Sequence, residues 1–199
     1  MSQLNIYNYS KWSKKILVYQ LDTVYGYIQA RLESLHIRNT THHYTQTKTP
    51  DLNGIIGIII SGSRVETDIP DLPKWCIKSR LPKLGICFGH EILAWEMGAG
   101  LEECNVEVGE RGGSKLKIEK SPLFRGLDTK EEYIVDMNHK FEIKSLPPGF
   151  TPICSTRMTE IAGYQNLKRG IFGVQFHPER SSIGDIIFKN FYEICLDSF

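Results

Sequence analysis

Apolar residues fall along this chain in blocks whose period changes. Ile16-Leu17-Val18-Tyr19 is a continuous apolar run, and Val24, Ile28, Leu32 and Leu35 then recur three or four apart behind Asp22-Thr23, the pattern of a strand followed by a helix. Gly54-Ile-Ile-Gly-Ile-Ile-Ile60 is apolar at nearly every position, as a strand must be when helices cover both faces of a parallel sheet. It stops at Ser61-Gly62-Ser63. The polar stretch 38–50, which contains His42 and His43, predicts at most a short edge strand. A short helix is predicted over 72–80 and a short strand over 82–86. A helix then runs through Ile92, Leu93 and Met97 and is closed by Gly98-Ala-Gly100.

From 106 to 119 the pattern turns to alternation, and Tyr133-Ile-Val135 and 150–153 read as further strands with turn residues between them, an antiparallel arrangement. The end returns to the first style. Ile171 to Phe176 predicts a strand, and Ile183, Ile186, Ile187, Phe191 and Ile194 mark an amphipathic helix that Ser181 or Ser182 is placed to cap. Strand and helix units outside a strand-rich late stretch predict an α/β fold with a mostly parallel central sheet flanked by helices and a small antiparallel β insertion. Residues 1–15 read as a polar N-terminal extension and 16–199 as a single domain.

Composition narrows the function classes. The 199 residues carry 24 basic and 23 acidic side chains, a formal charge of +1, so there is no electrostatic footprint for nucleic acid or an anionic membrane. The longest apolar run has six residues, Ile55 to Ile60, far short of the roughly 20 that cross a bilayer. Five cysteines without a C-x-x-C pair, and an N-terminus without a signal-peptide pattern, predict a reducing, cytoplasmic setting. Their scatter gives no metal-ligand spacing. Gly109 to Lys115 has neither the spacing nor the following helix of a phosphate loop. No metal or other cofactor is expected.

The chemistry concentrates at Gly85-Ile86-Cys87-Phe88-Gly89, between a predicted strand and a predicted helix. This is the G-x-nucleophile-x-G spacing of a nucleophile elbow, in which a strained turn needs small residues two before and two after its tip. A sulfur at a helix N-terminus is favoured as thiolate, and the Phe88 N–H points to where an oxyanion would form. On the elbow alone Cys87 reads equally well as a small buried apolar side chain. A cysteine nucleophile needs a base, and His177 directly follows the apolar strand Ile171 to Phe176, with Pro178 and Glu179 after it. Glu179, two residues on, is placed to accept the Nδ1–H of His177 and leave Nε2 facing the thiol.

With Gly85-Ile-Cys-Phe-Gly-His90 and Gly173-Val-Gln-Phe-His-Pro-Glu179 both present, the chain resembles the class I glutamine amidotransferases, whose fold is flavodoxin-like. Ile58-Ile-Ile-Ser-Gly62 resembles the family's oxyanion strand, Ser121 to Gly126 its usual turn, and Asn138-His139 its substrate-facing segment. Within the family the layout is most similar to the separate glutaminase subunit of GMP synthases. The resemblance implies a Cys87, His177 and Glu179 triad that hydrolyses glutamine to glutamate and ammonia through a thioester. It implies an oxyanion hole from Phe88 and the Gly62-Ser63 turn, and substrate contacts from Glu91, Asn138, His139 and Phe141. It further implies a separate ATP-using synthetase that takes the ammonia, such as one aminating xanthosine monophosphate.

This chain departs from the family pattern at three places. Glu91 stands where the family usually has glutamine, Ser63-Arg64 where the nearest subfamily has Gly-Pro, and Lys140-Phe141 where it has Gly-Asp. The substitution at 91 favours an alternative, a stand-alone γ-glutamyl hydrolase or peptidase with the same nucleophile and base. A noncatalytic regulatory or binding subunit is a third reading, against which the intact Cys, His and Glu set argues.

Overall fold

A computed structural model of the chain describes residues 14–21, 26–63, 71–104 and 110–198. The predictions for most of the leader, for Asp22, Thr23 and Val24, for Arg64, and for the start of the alternating stretch at 106–109 lie outside the described residues.

The apolar runs form strands where the period predicts them. β1 (Lys15–Gln20), β2 (Asn39–His43), β3 (Ile55–Ile60), β4 (Lys83–Ile86) and β11 (Ile171–Val174) pair in parallel in the order β2-β1-β3-β4-β11. This is the strand order of a flavodoxin-like sheet. β10 (Gly163–Asn166), β9 (Thr151–Ser155), β6 (Glu110–Ile118) and β7 (Glu132–His139) continue the same sheet beyond β11, and each joins its neighbour antiparallel. β5 (Gly100–Glu103) and β8 (Phe141–Ser145) form a separate two-stranded antiparallel sheet. The late strand-rich stretch is thus split between an extension of the main sheet and this small ribbon.

Alternation along β1 sorts the core into two layers. Ile16 and Val18 point to the side where α1 (Tyr27–Ser34) contributes Ile28 and Leu32 and α4 (Gly184–Asp197) contributes Ile187, Phe188 and Phe191. Leu17 and Tyr19 point to the other side, against Cys76 of α2 (Lys74–Lys78) and Ile92, Leu93 and Ala94 of α3 (Phe88–Glu96). Each fully buried Leu, Ile, Val or Phe side chain among these stabilises by about 1.5–3 kcal/mol relative to exposure. Gly57 lets α4 lie close on β3, because a Cβ there would strike Cys195 Sγ.

The predicted cap of the last helix is not formed. Its N-cap is Ile183, without a side-chain cap. Ser181 Oγ instead donates to the His177 carbonyl over 2.7 Å and accepts from the Asp136 N–H at 3.2 Å. A serine that can reach two buried backbone groups satisfies more unpaired atoms there than at a helix end facing water. Parallel pairing leaves the carboxyl ends of β1, β3, β4 and β11 on one edge of the sheet, the place where α/β folds put their ligands.

Candidate active site

Cys87 directly follows β4 and caps α3 with φ 52° and ψ −117°, a backbone conformation that residues other than glycine rarely adopt. The flanking glycines make it possible. A Cβ on Gly85 would lie 2.5 Å from the Gly89 carbonyl oxygen and 2.8 Å from His90 Cα, and one on Gly89 would overlap the carbonyl oxygen of Ile60. Strand and helix therefore approach as closely as the elbow spacing predicts. The Cys87 N–H is held by the Val174 carbonyl at 2.9 Å, and its thiol donates to the Asn138 carbonyl at 3.4 Å.

His177 follows β11 by three residues and is 9% exposed. Its Nδ1 meets Glu179 Oε1 at 2.7 Å. A carboxylate can only accept, so the proton sits on Nδ1 and the Nε2 lone pair is left open. Nε2 is buried and has no hydrogen-bond partner among the described residues. Gly62, just past the end of β3, lies against both groups. A Cβ built on it would be 3.2 Å from Cys87 Cβ and 3.4 Å from His177 Cε1, so nucleophile and imidazole flank a single point. A side chain at 62 would fill the space between them.

These residues line one cleft of about 220 Å³, with Ser63 and Asn138 on its wall. Phe88 is the first residue of α3, where a backbone N–H has no acceptor within its own helix. Ser61 closes the floor by accepting from the Leu21 N–H at 2.9 Å and donating to the Gly62 carbonyl at 2.9 Å, which ties the ends of β1 and β3 together.

The structure brings together Cys87, His177, Glu179, Gly62, Ser63 and Asn138, and it places three other predicted residues elsewhere. Glu91 is 3% exposed and accepts from Gln175 Nε2 at 2.7 Å, behind the elbow and off the cleft wall. His139 is buried, with Nδ1 on the Phe141 carbonyl at 2.7 Å and Nε2 3.5 Å from Thr159 Oγ1. Phe141 pairs with Glu103 in the small ribbon and does not line the cleft. The reason is directional. Successive residues of a strand face opposite ways, so when Asn138 is exposed toward the cleft, His139 must turn inward.

Sequence reasoning missed Gln20, Gln29, Arg180 and Asp136. Gln29 Nε2 donates to Gln20 Oε1 at 3.0 Å on the cleft wall. Arg180 Nε pairs with Asp136 Oδ2 at 3.0 Å, and the Asp136 carbonyl accepts the His177 N–H at 2.9 Å. Of these, only Arg180 carried a signal, its place next to Glu179. Behind the elbow the His90 imidazole is fully buried and stacked on Tyr164, with ring centres 4.8 Å apart. Burial, and then His139 beside it, push His90 down to about 3. It therefore stays neutral. None of the five cysteines forms a disulfide. Among the described residues no cluster of three or more His, Cys, Asp or Glu side chains is arranged to hold a metal ion, and no helix is long and apolar enough to cross a membrane.

The pattern of the family described as "Glutamine amidotransferase class-I" matches residues 17–194. The chain belongs to the class-I glutamine amidotransferase family. It is 37% identical over 139 residues to a glutamine-hydrolyzing GMP synthase of Thermosipho africanus, a match covering 67% of this chain and 26% of that protein. It is 31% identical over 142 residues to a subunit of the glutamine-hydrolyzing GMP synthase of Methanobrevibacter smithii, covering 70% of this chain and 73% of that one. The Thermosipho enzyme is thus several times longer than the matched region, whereas the Methanobrevibacter subunit is of similar length. Among solved structures, a candidate GMP synthase subunit from Thermoplasma acidophilum superposes with a TM-score of 0.84 at 27% identity, covering 93% of this chain and 95% of that one. The family pattern and this superposition both agree with the α/β architecture that the hydrophobic pattern predicts.

Proposed function

We propose that this chain is a glutaminase in which Cys87 is the nucleophile, His177 the general acid and base, and Glu179 the group that orients His177. The observation that carries the reading is the single cleft lined by Cys87 and His177, whose Cβ and Cε1 flank Gly62, with Glu179 on Nδ1 and Nε2 left open. In the reaction, His177 Nε2 takes the thiol proton and the sulfur attacks the side-chain amide carbon of glutamine. The oxyanion that forms is stabilised by the Phe88 N–H and by a backbone donor of the Gly62-Ser63 turn, each such donor contributing about 100- to 1000-fold in rate. His177 returns the proton to the departing nitrogen, and ammonia leaves. Water, deprotonated by His177, then attacks the γ-glutamyl thioester, releasing glutamate and restoring the thiol.

The similarity to a separate GMP synthase subunit, and to longer GMP synthases of which this chain matches only part, supports a partner. The partner is a separate ATP-using synthetase that aminates a purine nucleotide to form GMP, and this chain supplies its ammonia. The test is to incubate the purified chain with glutamine, with and without such a synthetase, ATP and xanthosine monophosphate, and to follow ammonia and glutamate. Glutamine turnover that rises with the synthetase is expected. Rapid cleavage of γ-glutamyl peptides without any partner would replace this reading with a stand-alone γ-glutamyl hydrolase, and no turnover in any mixture would favour a noncatalytic role.

A further inference from the structure

Taking a carboxylate out of water is unfavourable unless its oxygens find donors. Glu91, 3% exposed, has one in the side chain of Gln175, whose Nε2 donates to Glu91 Oε1 over 2.7 Å. Its position in the first turn of α3 adds the favourable field of the helix N-terminus. Gln175 is 0% exposed, and its own Oε1 is buried without a hydrogen-bond partner among the described residues. For packing alone an apolar side chain would serve better at 175, because the amide leaves an acceptor unsatisfied. What the amide supplies is an N–H directed at Glu91.

The positions of the two residues give that bond a use. Glu91 lies one helical turn after Cys87, and its N–H donates to the Cys87 carbonyl at 3.1 Å. Gln175 lies two residues before His177, just past the point where the pairing of β11 with β4 ends at Val174 and Ile86. Beyond Val174 the pairing with β4 ends, and the Gln175 N–H donates instead to the Ala162 carbonyl at 2.8 Å. His177 is then held on its far side by the Asp136 carbonyl and by Ser181 Oγ. On the near side, the Glu91 to Gln175 bond links the helix of the nucleophile to the segment that carries the base. Small errors in such a spacing are costly, since a displacement of about 1 Å between reacting groups can lose about 100-fold in rate.

Resting on the glutaminase reading above, we infer that Glu91 and Gln175 form a strut that sets the reach between Cys87 and His177, so that Glu91 is a positioning residue and not a substrate contact. A polarity swap tests this. Gln175→Glu brings a second carboxylate against Glu91, and Glu91→Leu removes the acceptor. Each is expected to lower kcat for glutamine about 10- to 100-fold with KM within about twofold. The double variant Glu91→Gln/Gln175→Glu reverses donor and acceptor, restores a single bond, and is expected to recover kcat to within about threefold of the parent, a non-additive result that marks direct coupling.

The alkylation rate of Cys87 by iodoacetamide, measured in the same proteins, follows the same order, because a displaced His177 no longer takes the thiol proton. It also separates two failures. A parent chain that turns over no glutamine counts against the glutaminase reading, while the alkylation series still decides on the strut. Circular dichroism and melting curves show which variants fold, and where a single variant does not, the folded double variant decides by its kcat and alkylation rate. Glu91→Leu with KM raised and kcat kept would make Glu91 a substrate contact and overturn the proposal. So would a double variant that folds but stays as slow as the single variants.

Discussion

In the parallel half of the main sheet, β1, β3, β4 and β11 end on the same edge, and Gln20 at the end of β1 and Gly62, Cys87 and His177 just beyond β3, β4 and β11 meet at one cleft. The antiparallel half is arranged differently. Its strands alternate in direction, and its largest contribution there is β7, which offers the Asn138 carbonyl to the thiol and the Asp136 carbonyl to the His177 N–H. One half therefore brings the candidate nucleophile and base to the cleft at its strand ends, while the other supports them through backbone acceptors. Substitutions that remove a group of the parallel half should cost rate, and those in the packing behind it should cost stability.

The largest effect is expected for Cys87→Ala, which leaves no nucleophile and should lower glutamine turnover by about 10⁴-fold or more at unchanged melting temperature. Residual activity near that of the parent would break the assignment of the parallel half as the reacting one. Glu179→Gln keeps the shape but removes the acceptor that fixes the imidazole tautomer, and kcat should fall about 10²- to 10⁴-fold with little change in KM. Gly62→Ala places a methyl group 3.2 Å from Cys87 Cβ and 3.4 Å from His177 Cε1. It should reduce kcat/KM about 10- to 100-fold while the fold persists. Equal activity in this variant would show that the two groups do not close on each other during the reaction.

The smallest effect concerns the packing behind the elbow and is a stability change. His90 is held neutral by burial down to about 3, below the ordinary 6.5. The unfolded chain therefore binds a proton that the folded chain refuses over this range. Stability contributed by the neutral ring is fully present above pH 6.5 and is lost as pH falls from 6.5 toward 3, with a slope of up to about 1.4 kcal/mol per pH unit. Urea unfolding of the parent and of His90→Gln at pH 7 and pH 5 should show a shallower loss in the variant. Identical losses would mean that another group carries the acid sensitivity.

What the sequence disclosed follows the same division. The strands of the parallel core are continuous apolar runs, and the elbow and the histidine segment are fixed by backbone, so their residues could be placed from spacing. β10 went unpredicted because Gly-Tyr-Gln-Asn is buried yet half polar. Gln165 Oε1 accepts from Ser121 Oγ at 2.8 Å and Asn166 Oδ1 from the Arg169 N–H at 3.0 Å, so both side-chain oxygens are paired within the protein. β5 and β8 are short and carry mixed polarity, and Gly100 was absorbed into the expected end of a helix. Glu91, His139 and Phe141 lie off the cleft wall for another reason. Which way a side chain points from a helix turn or a strand end depends on partners such as Gln175 and Thr159 that are distant in sequence.

The central claim is that glutamine is cleaved through a covalent bond to Cys87. Acid-quenched samples of the chain with glutamine, analysed by mass spectrometry of the intact protein and of its peptides, test it most directly. A γ-glutamyl adduct on the peptide containing Cys87, present in the parent and absent in Cys87→Ala, is the predicted result. Ammonia release that continues in Cys87→Ala, or an adduct carried by another residue, would contradict it.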